Sequence, residues 1–115
     1  MSDVPKHRAS YLTVAQQYNL NCVCSGFRLI GFGLYHVGSS LTRPDYRDVD
    51  LRCIIGDSEY DEAFRIGGDR FRKFIETAIS EWISARTGLP IDFQFQRMTQ
   101  ANEEFKGPRN WVGLI

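Results

Sequence analysis

The chain has 115 residues, 43% of them hydrophobic and 13% aromatic, enough for one small domain that buries roughly 65% of its unfolded surface without metal or disulfide staples. Fourteen Lys and Arg against fourteen Asp and Glu give a formal net charge of +0, so no global field draws the chain to nucleic acid or anionic lipid, and a polyanion has to be held by a local cluster. Intrinsic disorder and collagen-like repeats are excluded, and no apolar run approaches the roughly 20 residues of a membrane helix.

The first ten residues are polar and hold Pro5 and Lys6 where a signal peptide needs an apolar stretch. Ser10 is placed to cap a helix over 10–19, with Tyr11, Ala15 and Tyr18 sharing one face. Residues 20–33 are apolar but broken by Gly26, Gly31 and Gly33, and read equally as strand or loop. Cys22 and Cys24 lie in this stretch. With Cys53 they make an odd set without zinc-ligand spacing, which favours packed thiols in a reducing, cytoplasmic setting.

A short strand over 34–37 stops at Gly38-Ser39-Ser40, and His36 within it reads as a partly buried imidazole with a backbone partner. A polar connection containing Pro44 leads to a strand over 48–55, ended by Gly56-Asp57-Ser58. A charged loop then runs to about 69, with Asp57, Glu59, Asp61 and Glu62 in solvent. Over 70–87 the spacing predicts a helix whose stripe of Phe71, Phe74, Ile75, Ala78, Ile79, Trp82 and Ile83 faces the core. Asp69 is placed to cap it, Gly88 to end it in the left-handed region, and Pro90 to prevent continuation. Residues 91–96, IDFQFQ, alternate as a half-buried strand does. A helical turn over 99–105 and the Gly107-Pro108 breaker follow. The expected fold is an α+β domain, a small mixed sheet with helices packed on one face.

Strand parity then places the acids. Asp48, Asp50 and Arg52 share one face of their strand, as Asp92, Gln94 and Gln96 share one face of theirs. If these strands are neighbours, three carboxylates meet on a polar face opposite a greasy one. Such acids repel one another unless cations compensate them. Mg²⁺, or Mn²⁺ in its place, supplies that compensation, since it takes oxygen ligands and fills its remaining positions with water and phosphate. The Gly38-Ser39 turn fits beside the acids: Gly permits close approach, Ser39 and Ser40 add hydroxyls, and the N–H groups of a short helix after Ser39 would face an anion. Arg43, Arg47 and Arg52 are placed to offset phosphate charge, Arg52 best because it shares the acids' face.

Val37-Gly38-Ser39, eight intervening residues, Asp48-Val49-Asp50-Leu51, and later Ile91-Asp92-Phe93 resemble the signature of the DNA polymerase β-type nucleotidyltransferase superfamily, in particular its minimal members. The likeness spans 34–96 and includes a long helix between the second and third acid strands. It implies Asp48, Asp50 and Asp92 as catalytic metal ligands and Gly38 and Ser39 as phosphate binders, with a nucleoside triphosphate as substrate. The chain departs from the pattern at Ser40-Leu41-Thr42-Arg43, where the minimal members often carry an earlier Arg. About twenty residues follow Asp92, which leaves the acceptor side to a second copy or a partner protein. Without transfer activity, the same scaffold would serve as a binding or regulatory module.

Overall fold

The computed structural model describes residues 10–30, 32–104, 107 and 109–113, without the Arg28 side chain. The polar segment 1–9, Gly31, Phe105, Lys106 and Pro108 lie outside the described residues. The first helix, α1 (Val14–Cys24), is capped by Thr13, three residues after the expected Ser10. At its start the Thr13 hydroxyl accepts from Gln16 N at 3.1 Å while Gln16 Oε1 accepts from Thr13 N at 2.8 Å, a capping box that satisfies two otherwise orphaned donors. Ser10 instead accepts from Leu12 N just upstream. The inward face is Leu20 and Cys24, four residues apart, and Tyr18 is 67% exposed, so the expected Tyr11, Ala15 and Tyr18 face is not the packed one. A 3₁₀ segment, Ser25–Ile30, continues from α1, so residues 20–30 of the ambiguous stretch are helical, while Gly33 opens a strand.

Among the described residues four strands form one mixed sheet: β1 (Gly33–Val37), β2 (Val49–Ile55), β3 (Ile91–Arg97) and β4 (Asn110–Trp111), in the order β3-β2-β1-β4. β2 runs parallel to β3, and β1 is antiparallel to both its neighbours. One face carries Leu34, Val49, Leu51, Cys53, Ile55 and Phe93, all buried, and packs with Leu20, Cys24 and Ile83 from the helices. The opposite face carries Asp50 beside Asp92, then Arg52 beside Gln94 and Tyr35. The parity expectation holds for Asp50 with Arg52 and for Asp92 with Gln94, while Asp48 precedes β2.

Two helices connect β2 to β3: α2 (Asp57–Ala63), in place of the expected charged loop, and α3 (Gly68–Thr87). A last helix, α4 (Met98–Glu104), follows β3 directly. Asp57 accepts from both the backbone N–H and the hydroxyl of Thr99, tying the start of α2 to the first turn of α4. α3 starts after Gly67, with Asp69 in its first turn and not at the cap, and ends as expected at Gly88, φ +72°.

The orientation of α3 differs from the apolar pattern. Phe71, Phe74 and Trp82 are 48%, 69% and 46% exposed, while Glu76 and Ile83 are buried. At 100° per residue, the helix is turned roughly a third of a revolution from the expected stripe. The reason lies in β3, an edge strand whose outward N–H groups lack a strand partner. Glu76 Oε2 accepts from Phe95 N at 2.8 Å, Ser80 Oγ from Phe93 N at 2.9 Å and Ser84 Oγ from Ile91 N at 3.2 Å. These acceptors sit at i, i+4 and i+8, and they seal the edge as a fifth strand would. Turning them to β3 places the aromatic stripe in solvent. Among the described residues, no helix is long and apolar enough to cross a membrane.

Candidate functional site

The chain leaves β1 through Gly38, whose φ of +83° and ψ of −162° suit glycine alone. A Cβ there would also collide with Asp50 Oδ2, so glycine lets that carboxylate lie against the turn. The 3₁₀ turn Ser39–Leu41 follows, closed by Thr42 N to Ser39 O at 3.0 Å. Three residues are too few for an appreciable helix dipole, so anion binding here falls to side chains. Ser40, expected on the phosphate side with Ser39, is fully buried, and its hydroxyl hydrogen-bonds His36 Nε2 at 2.5 Å. The His36 partner is thus a side chain and not the backbone. Burial lowers the His36 pKa to about 4, which keeps the imidazole neutral as an anchor beneath the turn.

Asp50 and Asp92 stand directly opposite each other in the parallel pair of β2 and β3. Burial pushes the Asp50 carboxyl above the usual carboxylate range; Arg52 opposes this, while Asp92 and Asp48 reinforce it, Asp92 also by a carboxyl–carboxyl hydrogen bond. Arg52 is 7% exposed. Its guanidinium donates to Leu51 O at 2.9 Å and to Asp92 O at 2.8 Å. It also lies 3.5 Å from Asp92 Oδ2 and 3.9 Å from Asp50 Oδ1. Sequence parity placed Arg52 on the acids' face, but its orientation toward the acid pair comes from those two carbonyls.

Ser39, Arg43, Arg47, Asp48 and Asp50 line one cavity of about 480 Å³ with Asp45 and Tyr46. The turn, two of the acids and two of the arginines therefore meet. Asp92 opens on the other side, into a groove of about 590 Å³ between α3 and β3 that also holds Arg72, Lys73 and Gln94. Arg43 is paired with Asp45 through two contacts of 3.1 and 2.9 Å, a partner not anticipated from the sequence.

The donor set suits a hard divalent cation: all the ligating atoms are carboxylate oxygens, and Asp50 and Asp92 are held side by side, one backed by glycine. Among the described residues no group of three His, Cys, Asp or Glu side chains stands assembled as a metal site. Water and substrate phosphate ordinarily complete the coordination of Mg²⁺ held by one or two carboxylates. Comparison with protein-family models, curated proteins and solved structures gives no match.

Proposed function

We propose that the chain is a nucleotidyltransferase that moves a nucleoside monophosphate from a nucleoside triphosphate to a hydroxyl-bearing acceptor. The observation that carries this reading is the register of Asp50 against Asp92 beside a turn that only glycine can make. Asp48 and Asp50 would hold Mg²⁺ on the side of the 480 Å³ cavity, and Asp92 would share it from the groove side. When bound, the cation supplies positive charge against the triphosphate oxygens.

Ser39, Arg43 and Arg47 would hold the outer phosphates, using the hydroxyl as a donor and the guanidiniums as forked donors. Asp92 faces the groove where an acceptor would enter, and its carboxylate would accept the proton of the attacking hydroxyl. The new bond joins the acceptor oxygen to the α-phosphorus, the bond from that phosphorus to the bridging oxygen breaks, and pyrophosphate leaves. Positioning and charge neutralisation would carry most of the acceleration. A second copy or a partner protein would complete the acceptor side. Free cysteines fit a reducing, cytoplasmic setting, since burial raises the Cys24 and Cys53 thiols to about 12 and removes them from thiolate chemistry.

The test is transfer of labelled nucleoside monophosphate from each of the common triphosphates, with Mg²⁺ or Mn²⁺. Asp50→Asn should abolish it while leaving the circular dichroism spectrum unchanged, and equal turnover in both proteins would end the catalytic reading. The Arg52 guanidinium, within 4 Å of both acids, favours one alternative: a non-catalytic binding or regulatory module that supplies its own counter-charge. In that case neither divalent cation alters the thermal midpoint at millimolar concentration.

A further inference from the structure

The open face of the sheet carries a second feature, one row along from the acids. Tyr35 is in register with Arg52 on one side and with Trp111 on the other, two positions along β1 from Val37, which pairs with Asp50. The Tyr35 ring leans from there toward Gly33 and its partner Ile54, four positions along β2 from Asp50 or about 13 Å, a gap to be spanned by ribose and base together. The Tyr35 and Trp111 rings meet at 4.5 Å between centroids with a 45° tilt. Trp111 is nevertheless 54% exposed on the short edge strand β4. Gly33 clears the space beneath: a Cβ there would lie 2.8 Å from the Tyr35 ring, so glycine allows that ring to fold over the strand.

These rings border a cavity of about 320 Å³ that also holds Phe32, Ile54, Met98 and Glu59. That is the lower end of ligand-pocket volumes and room for one planar ring system. Among the described residues, Glu59 is the one charged group on its lining. Its Oε2 accepts from the Ser58 hydroxyl at 3.2 Å, and a carboxylate there favours a ring edge bearing N–H donors.

We infer that Tyr35 and Trp111 form a stacking shelf for the nucleobase of the transferred nucleotide, and that Glu59 selects a base presenting adjacent N–H donors, guanine above all. The assignment of the ring as a nucleobase rests on the nucleotidyl-transfer reading. Aromatic faces bind any base by stacking, and the carboxylate adds the discrimination.

The two can be tested apart because a nucleoside has a base and no phosphate. In a Trp82→Phe background Trp111 is the sole tryptophan, and its fluorescence is titrated with guanosine and uridine without divalent cation. Saturable quenching is expected, with guanosine tighter by about tenfold. Tyr35→Leu should weaken both nucleosides about tenfold while Tyr35→Phe, which keeps the ring, should not. Glu59→Gln should erase the preference between them. Each variant is first checked for an unchanged thermal midpoint, and Tyr35→Phe serves as the folded comparison. Absence of saturable quenching up to about 10 mM, where affinity would be negligible, or quenching indifferent to Tyr35→Leu, would overturn the shelf. An unchanged preference in Glu59→Gln would overturn the role of Glu59. Base binding that persists when Asp50→Asn and the unsubstituted protein alike fail to transfer would retire the transfer reading alone, and transfer without base binding would retire the shelf alone.

Discussion

Asp50 shows at the scale of one residue how a site can oppose the stability of its own fold. Burial raises its carboxyl, and Asp92 and Asp48 add to the effect of burial against the opposition of Arg52. A carboxyl that holds its proton more tightly folded than unfolded gives its full stability below the unfolded pKa and loses it as pH rises through the folded one. At neutral pH the ionised group therefore costs stability. Asp50→Asn is expected to raise the thermal midpoint at pH 7 in the absence of divalent cation, with the difference shrinking toward pH about 4, where the unfolded carboxyl is itself half protonated. A lower midpoint at pH 7 would contradict this. Gly38→Ala has the opposite sign. It forces a side chain into a positive φ, at about 1–2 kcal/mol, and drives a Cβ into Asp50 Oδ2, so chemical denaturation should show a loss of at least that size. Beneath the turn, Ser40→Ala strands the His36 Nε2 that Ser40 now satisfies, at a cost of about 1–3 kcal/mol by the same measurement.

At the scale of elements, α3 explains both what was legible and what was not. Its extent and its Gly88 terminator follow from spacing and from the left-handed preference of glycine. Its rotation does not, because counting apolar positions ignores the unpaired N–H row of an edge strand. Glu76, Ser80 and Ser84 are polar residues that a hydrophobic pattern assigns to solvent, yet they accept from Phe95, Phe93 and Ile91. Glu76 also pairs with Arg72 at 3.1 Å, with the two side chains only 9% and 17% exposed. Glu76→Ala leaves the Phe95 N–H without its acceptor and Arg72 with the exposed Asp69 as its remaining partner, and should cost about 3 kcal/mol in denaturant unfolding. Glu76→Gln retains an acceptor and should cost less. Equal losses would show that the edge contact contributes nothing. The start of α1 was legible in principle, since Thr13 and Gln16 carry the capping-box spacing, but Ser10 is an equally good cap by residue type alone. The short helix α2 was hidden because its residues, DSEYDEA, include none that is buried.

For the whole molecule, the alternation of Asp50 and Arg52, and of Asp92 and Gln94, was sufficient to put Asp50 and Asp92 on one face once β2 and β3 were neighbours. Their adjacency was not legible from parity, which says nothing of strand order. The Tyr35 and Trp111 pair was equally hidden, because it depends on β4 closing against β1. Across the molecule the helices α1 and α3 cover one face of the sheet, while the other carries the acids, an arginine between them and an aromatic pair, with α4 over its buried Gln96 end. The central claim is that this open face binds a nucleoside triphosphate with a divalent cation through Asp50 and Asp92. Calorimetric titration of the protein with each common triphosphate in the presence of Mg²⁺ tests it most directly. The account predicts saturable heat for at least one of them, lost in Asp50→Asn; no heat from any of them into the millimolar range, or the same isotherm in that variant, would contradict it.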